Sequence, residues 1–143
     1  MKIAQDSKSI KTLSYSSLML FGLSLLSPTY CTNVHCSGFG SGMMDLCLGW
    51  LGAIFYGGVY IAWYANLFII IALILKKHAP IISLLLTLAA IIIGLTFLNG
   101  GEVLLNEAGH TGYITKIQFG YWLWMSGMFI QLIYLTLKIS KSK

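Results

Sequence analysis

The chain has 143 residues, of which 57% are hydrophobic and 9% charged, with a mean hydropathy of +0.82. Soluble domains carry about 25% charged residues, so nine lysines and four acids cannot clothe a water-soluble fold of this size, and a disordered chain would need lower hydrophobicity and more charge. The net charge of +5 comes from lysines without one arginine, placed at the edges of apolar runs, a pattern that disfavours nucleic-acid partners, whose sites cluster cations on a polar face and favour guanidinium forks.

Four apolar runs follow in chain order, and they predict an all-α fold: a single-domain integral membrane four-helix bundle in a lipid bilayer. The first, Leu13 to Tyr30, follows Lys2, Lys8 and Lys11. A basic start and a short apolar core are also features of a signal peptide, but no small-x-small cleavage site precedes Cys31, so an uncleaved helix is expected. The second run, Leu46 to Leu75, is 30 residues long with Gly57-Gly58 inside it. It reads either as one long tilted helix or as a short interfacial helix followed by a span. The third runs from Ile81 to Leu98 after Pro80, and the fourth from Phe119 to Leu137 before Lys138, Lys141 and Lys143.

With four spans, both termini and the Lys76-Lys77 turn share a side that holds every lysine but Lys116. The positive-inside rule then places both termini in the cytoplasm. Asp45, Glu102 and Glu107 fall on the other side.

Helices in lipid associate through small residues and hydrogen bonds, since apolar burial gains nothing there. Each run carries such a stripe: Ser14, Ser17, Phe21 and Ser24; Gly58, Ala62 and Asn66; Ser83, Thr87, Ala90 and Gly94; Gly120, Trp124, Gly127, Gln131 and Tyr134. At 1.5 Å per residue Asn66 lies about 15 Å from Lys76, near the midplane. Its amide is expected to face the bundle and meet Thr87, Ser126 or Gln131, as interhelical glue or as a polar ligand site. Trp50, Tyr56, Tyr60, Trp63, Tyr64, Tyr121, Trp122 and Trp124 read as an interfacial aromatic belt.

Cys31 and Cys36 are the candidate disulfide in an oxidising compartment, with Cys47 left over or replacing either. The C-x4-C spacing fits neither a C-x-x-C redox motif nor a known zinc signature. Gly100, Gly101, Gly109 and Gly112 mark turns, and Val103–Asn106 with Tyr113–Ile117 form a candidate hairpin. His35, Asp45, Glu107 and His110 are the candidate outer pocket, because so few ionisable groups fall on that face. No catalytic group, metal site or cofactor is expected.

The motifs Gly49-Trp50-Leu51-Gly52, Ala62-Trp63-Tyr64-Ala65-Asn66, Asn106-Glu107-Ala108-Gly109 and Gly120-Tyr121-Trp122-Leu123-Trp124 span Asp45 to Met128. In them the chain resembles a group of small uncharacterised bacterial inner-membrane proteins. The resemblance implies a bacterial source and a four-span fold, and no activity. Small multidrug exporters, which need an acid in the first span, and quinone-linked disulfide-forming proteins, which need two cysteine pairs, fit less well.

The leading functional expectation is a non-enzymatic protein acting through partner or lipid contacts, as a complex subunit, an immunity-type protein or a homo-oligomer. It rests on the scarcity of ionisable groups within the spans. The alternatives are a small transporter or holin-like pore, and a thiol- or metal-handling protein using Cys31, His35 and Cys36.

Overall fold

The computed structural model describes residues 2–105 and 109–141, with side chains from residue 10 onward. Five α-helices and three short strands alternate: α1 (Lys2–Leu26), β1 (Tyr30–Thr32), α2 (Ser41–Phe55), α3 (Tyr64–Leu75), α4 (Pro80–Leu95), β2 (Glu102–Leu104), β3 (Thr111–Ile117) and α5 (Phe119–Ser140). A 3-10 segment, Gly58–Trp63, leads into α3, and another, Thr96–Asn99, extends α4. Three of these stretches, Gly58–Leu75, Pro80–Asn99 and Phe119–Ser140, are long and apolar enough to cross a membrane. The apolar part of α1, Ile10–Leu26, is shorter.

The all-α expectation needs correction. The three strands form an antiparallel sheet in the order β1-β3-β2. Tyr30 pairs with Ile117, and Glu102 with Tyr113. The expected hairpin partner of Tyr113–Ile117 is therefore present as Glu102–Leu104. The third strand starts at Tyr30, the last residue of the first apolar run, and continues into the cysteine loop. That helix stops at Leu26, two residues before Pro28, which cannot continue it as a donor. The chain then turns, and Tyr30–Thr32 joins the sheet edge.

The second run is broken, and its first helix begins earlier than expected, at Ser41. Gly57 and Gly58 take φ of 64° and 57°, the left-handed region that glycine enters without strain, and α2 ends there. Both ends of α2 stay near the sheet. Ser41 Oγ accepts from the Thr29 N–H, just before β1, at 3.2 Å. Just past the other end, the Tyr60 hydroxyl accepts from the Leu104 N–H of β2 at 2.7 Å. The helix thus lies across one end of the bundle, the cap end, and the Lys76-Lys77 turn marks the opposite lysine end.

The other helices pack along one another as antiparallel neighbours. The α1–α5 seam is close because α5 offers no side chain at two points. A Cβ on Gly120 would sit 2.5 Å from the Pro28 carbonyl oxygen, and one on Gly127 would sit 3.2 Å from that of Ser17. Ser17 Oγ uses this approach to donate to the Gly127 carbonyl at 2.8 Å. Between α3, α4 and α5 the core is Ala65, Ile69, Ala72, Ala90, Ile91, Tyr121, Met125 and Met128. The small-residue stripe of α4 is buried throughout: Ser83, Thr87, Ala90 and Gly94. Ser83 Oγ donates across to the Ala72 carbonyl at 2.7 Å.

At the lysine end, Lys76 Nζ donates to Ser14 Oγ at 2.8 Å and lies 5.8 Å from the Tyr134 ring centroid. Burial first, then the charges of Lys77 and Lys138, hold the Lys76 ammonium below its usual range. Lys138 Nζ donates to the Lys76 carbonyl, tying α5 to the turn.

Candidate functional site

The polar residues singled out in the spans go to separate places. Asn66 Oδ1 accepts from Trp124 Nε1 at 2.9 Å, so its partner is the indole rather than Thr87, Ser126 or Gln131. Thr87 is fully buried and donates back to the Ser83 carbonyl at 2.8 Å, within its own helix. Ser126 faces outward. Gln131 is fully buried in α5, and neither its Nε2 nor its Oε1 has a partner among the described residues.

The four candidates for an outer pocket do not converge either. His35 is exposed in the tight loop closed by the Cys31–Cys36 disulfide. His110 is exposed beside β3, and Glu107 lies outside the described residues. Cys47 is the free cysteine, exposed on α2. The disulfide serves the cap: Gln118 Nε2 donates to Cys31 Sγ at 2.9 Å, and the Asn33 side chain accepts from the Tyr113 N–H at 2.9 Å. No group of three His, Cys, Asp or Glu able to hold a metal ion occurs among the described residues.

Asp45 is the exception. It sits on the first turns of α2, half-buried and pointed at the bundle. Its Oδ2 accepts from Thr29 Oγ1 at 2.7 Å. Thr29 is held in turn, since its N–H donates to Ser37 Oγ at 2.9 Å and its carbonyl accepts from the Gln118 N–H at 2.9 Å. Burial pushes the Asp45 carboxyl up to about 6, and the Thr29 hydroxyl opposes that rise. The Tyr30 phenol is driven well above its usual range by burial, by Asp45 and by Tyr60. The Asp45, Tyr30 and Tyr60 side chains all stand in the wall of one space.

They face a cavity of about 110 Å³ between α2, the 3-10 segment, α5 and the cap. A single water needs about 10–15 Å³ on this measure, so the space admits a small organic group. One wall is a run of aromatic rings. Tyr30 meets Phe97 at 5.8 Å between centroids, Phe97 stacks on Tyr121 at 5.5 Å, and Tyr121 meets Trp124 at 5.8 Å. Tyr60 and Trp63 form the facing side, with Val59, Ala62 and Val103. Asn66 of α3 and Trp124 of α5 complete the lining.

The rings are held by their polar tips. Trp63 Nε1 donates to the Leu46 carbonyl at 2.9 Å, and Tyr121 Oη to the Gly94 carbonyl at 3.2 Å. This corrects the aromatic-belt expectation for Tyr60, Trp63, Tyr121 and Trp124. Trp50, Tyr56 and Trp122 are exposed.

The cavity was hard to foresee from sequence. Tyr30, Phe97 and Tyr121 come from three segments far apart in the chain, and no spacing rule joins them. The available signal was Asp45 itself, an acid at the mouth of an apolar run that opens with aromatic residues. Chemically the arrangement offers one carboxyl with a tunable proton, two phenols and a mostly apolar wall. No protein family, curated protein or solved structure matches this chain.

Proposed function

We propose that the chain is a four-span protein of a bacterial inner membrane, with both termini and the Lys76-Lys77 turn in the cytoplasm and the disulfide-bonded cap outside. Its work is to bind a small molecule in the cap-end cavity and to present the cap and α2 to lipid or to a membrane partner. The observation that carries the binding reading is a preformed space, walled by aromatic rings and edged by one half-buried carboxyl, a composition typical of ligand sites. α1 supplies the fourth crossing, because it runs the length of α5 and ends beside the cap. α2 fits the membrane surface: Met44, Leu48, Trp50, Ile54 and Phe55 are exposed apolar residues on it, which suit the headgroup boundary.

Two measurements test this. Single reporter cysteines at Lys77 and at Gly109, in a background without Cys47, are expected to be labelled from opposite sides of inverted vesicles; labelling from one side rejects the topology. A thermal-shift panel of molecules up to choline size, run on detergent-purified protein, is expected to contain stabilising members. Ala62→Leu, which fills the cavity, should abolish their effect. A panel without one stabilising member rejects the binding reading.

A further inference from the structure

The rings that line the cavity do more than exclude water. The side chains of Tyr30, Tyr60, Trp63 and Trp124 line a shared space, and aromatic rings carry negative quadrupole potential on their faces. A single carboxyl, Asp45, adds a formal negative charge at its edge, and it is fixed there by the Thr29 hydroxyl. Among the described residues no lysine or histidine lines that space. A half-buried carboxylate without a cation is costly, and π-faces attract cations over anions. A neutral apolar ligand would use the walls and leave Asp45 uncompensated. An anion would be repelled by both.

We infer that the cavity recognises an alkylammonium group, with Asp45 as counter-ion and the Tyr30, Tyr60, Trp63 and Trp124 rings as its cage. The inference rests on the binding reading above and narrows it to one chemistry. That chemistry has two sources, a free small amine and the ammonium of a lipid headgroup. With Asp45 raised to about 6 by burial, the carboxylate form predominates at pH 8 and the acid at pH 5. The titratable groups facing it are the Tyr30 phenol from β1 and the Tyr60 phenol from the 3-10 segment, both neutral over that interval.

The test uses the full chain in detergent, with Trp63 and Trp124 as intrinsic fluorescent reporters. Choline is titrated against its uncharged isostere 3,3-dimethylbutan-1-ol. At pH 8 choline is expected to change the emission saturably, at least tenfold more tightly than the alcohol. That preference should vanish in Asp45→Asn and shrink at least tenfold at pH 5. Equal affinity for the two compounds, or an unchanged preference in Asp45→Asn, overturns the ammonium inference while leaving the cavity a binding site. Binding of neither, in detergent or in nanodiscs, overturns the ammonium inference, and the thermal-shift panel then decides the binding reading on its own. Should Asp45→Asn fail to fold, the wild-type comparison at the two pH values decides alone. Nanodiscs of phosphatidylglycerol with and without phosphatidylethanolamine separate the sources: choline weakened at least threefold by the aminolipid assigns the site to the headgroup, and unchanged choline binding assigns it to a free amine.

Discussion

The two ends of the bundle are made from the same helices yet treat space in opposite ways. Toward the lysine end, α3 and α4 meet through Ala72, Ser83, Thr87 and Ala90, all fully buried. Their hydroxyls turn back onto backbone carbonyls, and the helices close up. Toward the cap end the same helix pair continues into Ala62 and Phe97, beside the rings of Tyr121 and Trp124 on α5, and about 110 Å³ stays open. Small residues let backbones approach until nothing is left between them, as expected for helices in lipid. Stacked rings fixed by their polar tips cannot collapse inward, so they leave a chamber.

One pair of substitutions probes this contrast most sharply, with reversible unfolding in mixed micelles as the measure. Ala72→Leu, where the residue is fully buried, is expected to cost about 3 kcal/mol through overpacking. Ala62→Leu, at the edge of the cavity, should cost less than about 1 kcal/mol, since there is room to receive it. Equal costs would mean that the cavity closes in solution.

A smaller effect comes from charge. Asp45 binds its proton more tightly in the folded chain, at about 6 against 3.8. The penalty on the ionised form is therefore fully present above pH 6, recedes as pH falls, and is gone below about 3.8. Asp45→Asn is expected to stabilise the protein at pH 8 by about 2 kcal/mol, part exposure of the carboxyl discounted. It should make no difference at pH 3.5. Wild-type stability should accordingly rise between pH 7 and pH 4, and a flat profile would show that the carboxyl is solvated.

The two amides within the apolar helices mark the finest distinction. Gln131→Leu is expected to stabilise by about 1 kcal/mol, because both amide atoms lack partners among the described residues. Asn66→Leu should destabilise by about 0.6–1 kcal/mol, since it strands the Trp124 N–H. If both shift in the same direction, the hydrogen-bond assignment of one amide is wrong.

Much of the helical framework was legible from periodicity and charge. The α4 stripe from Ser83 to Gly94 is buried as read, and the glycine pair at 57–58 breaks the second run. The cap was less legible. Tyr30–Thr32 is too short for a strand signal, and it becomes one because β3 offers an edge. Ser126 was misassigned to the interior, although Gly127 beside it defines the packed face of α5. The partner of Asn66 was missed because an indole in an aromatic-rich segment reads as an interfacial anchor, whereas this one points inward.

Hydropathy and lysine placement are summed over many residues, so the chain alone determined where its apolar helices lie and which turns group the positive charge. A chamber depends on a few ring orientations and on which distant segments meet. Only the tertiary structure decided that Thr29 would hold Asp45 toward the rings of Tyr30 and Tyr60, and that Phe97 and Tyr121 would stack behind them. Those contacts are set by packing between elements far apart in sequence, and no local pattern encodes them.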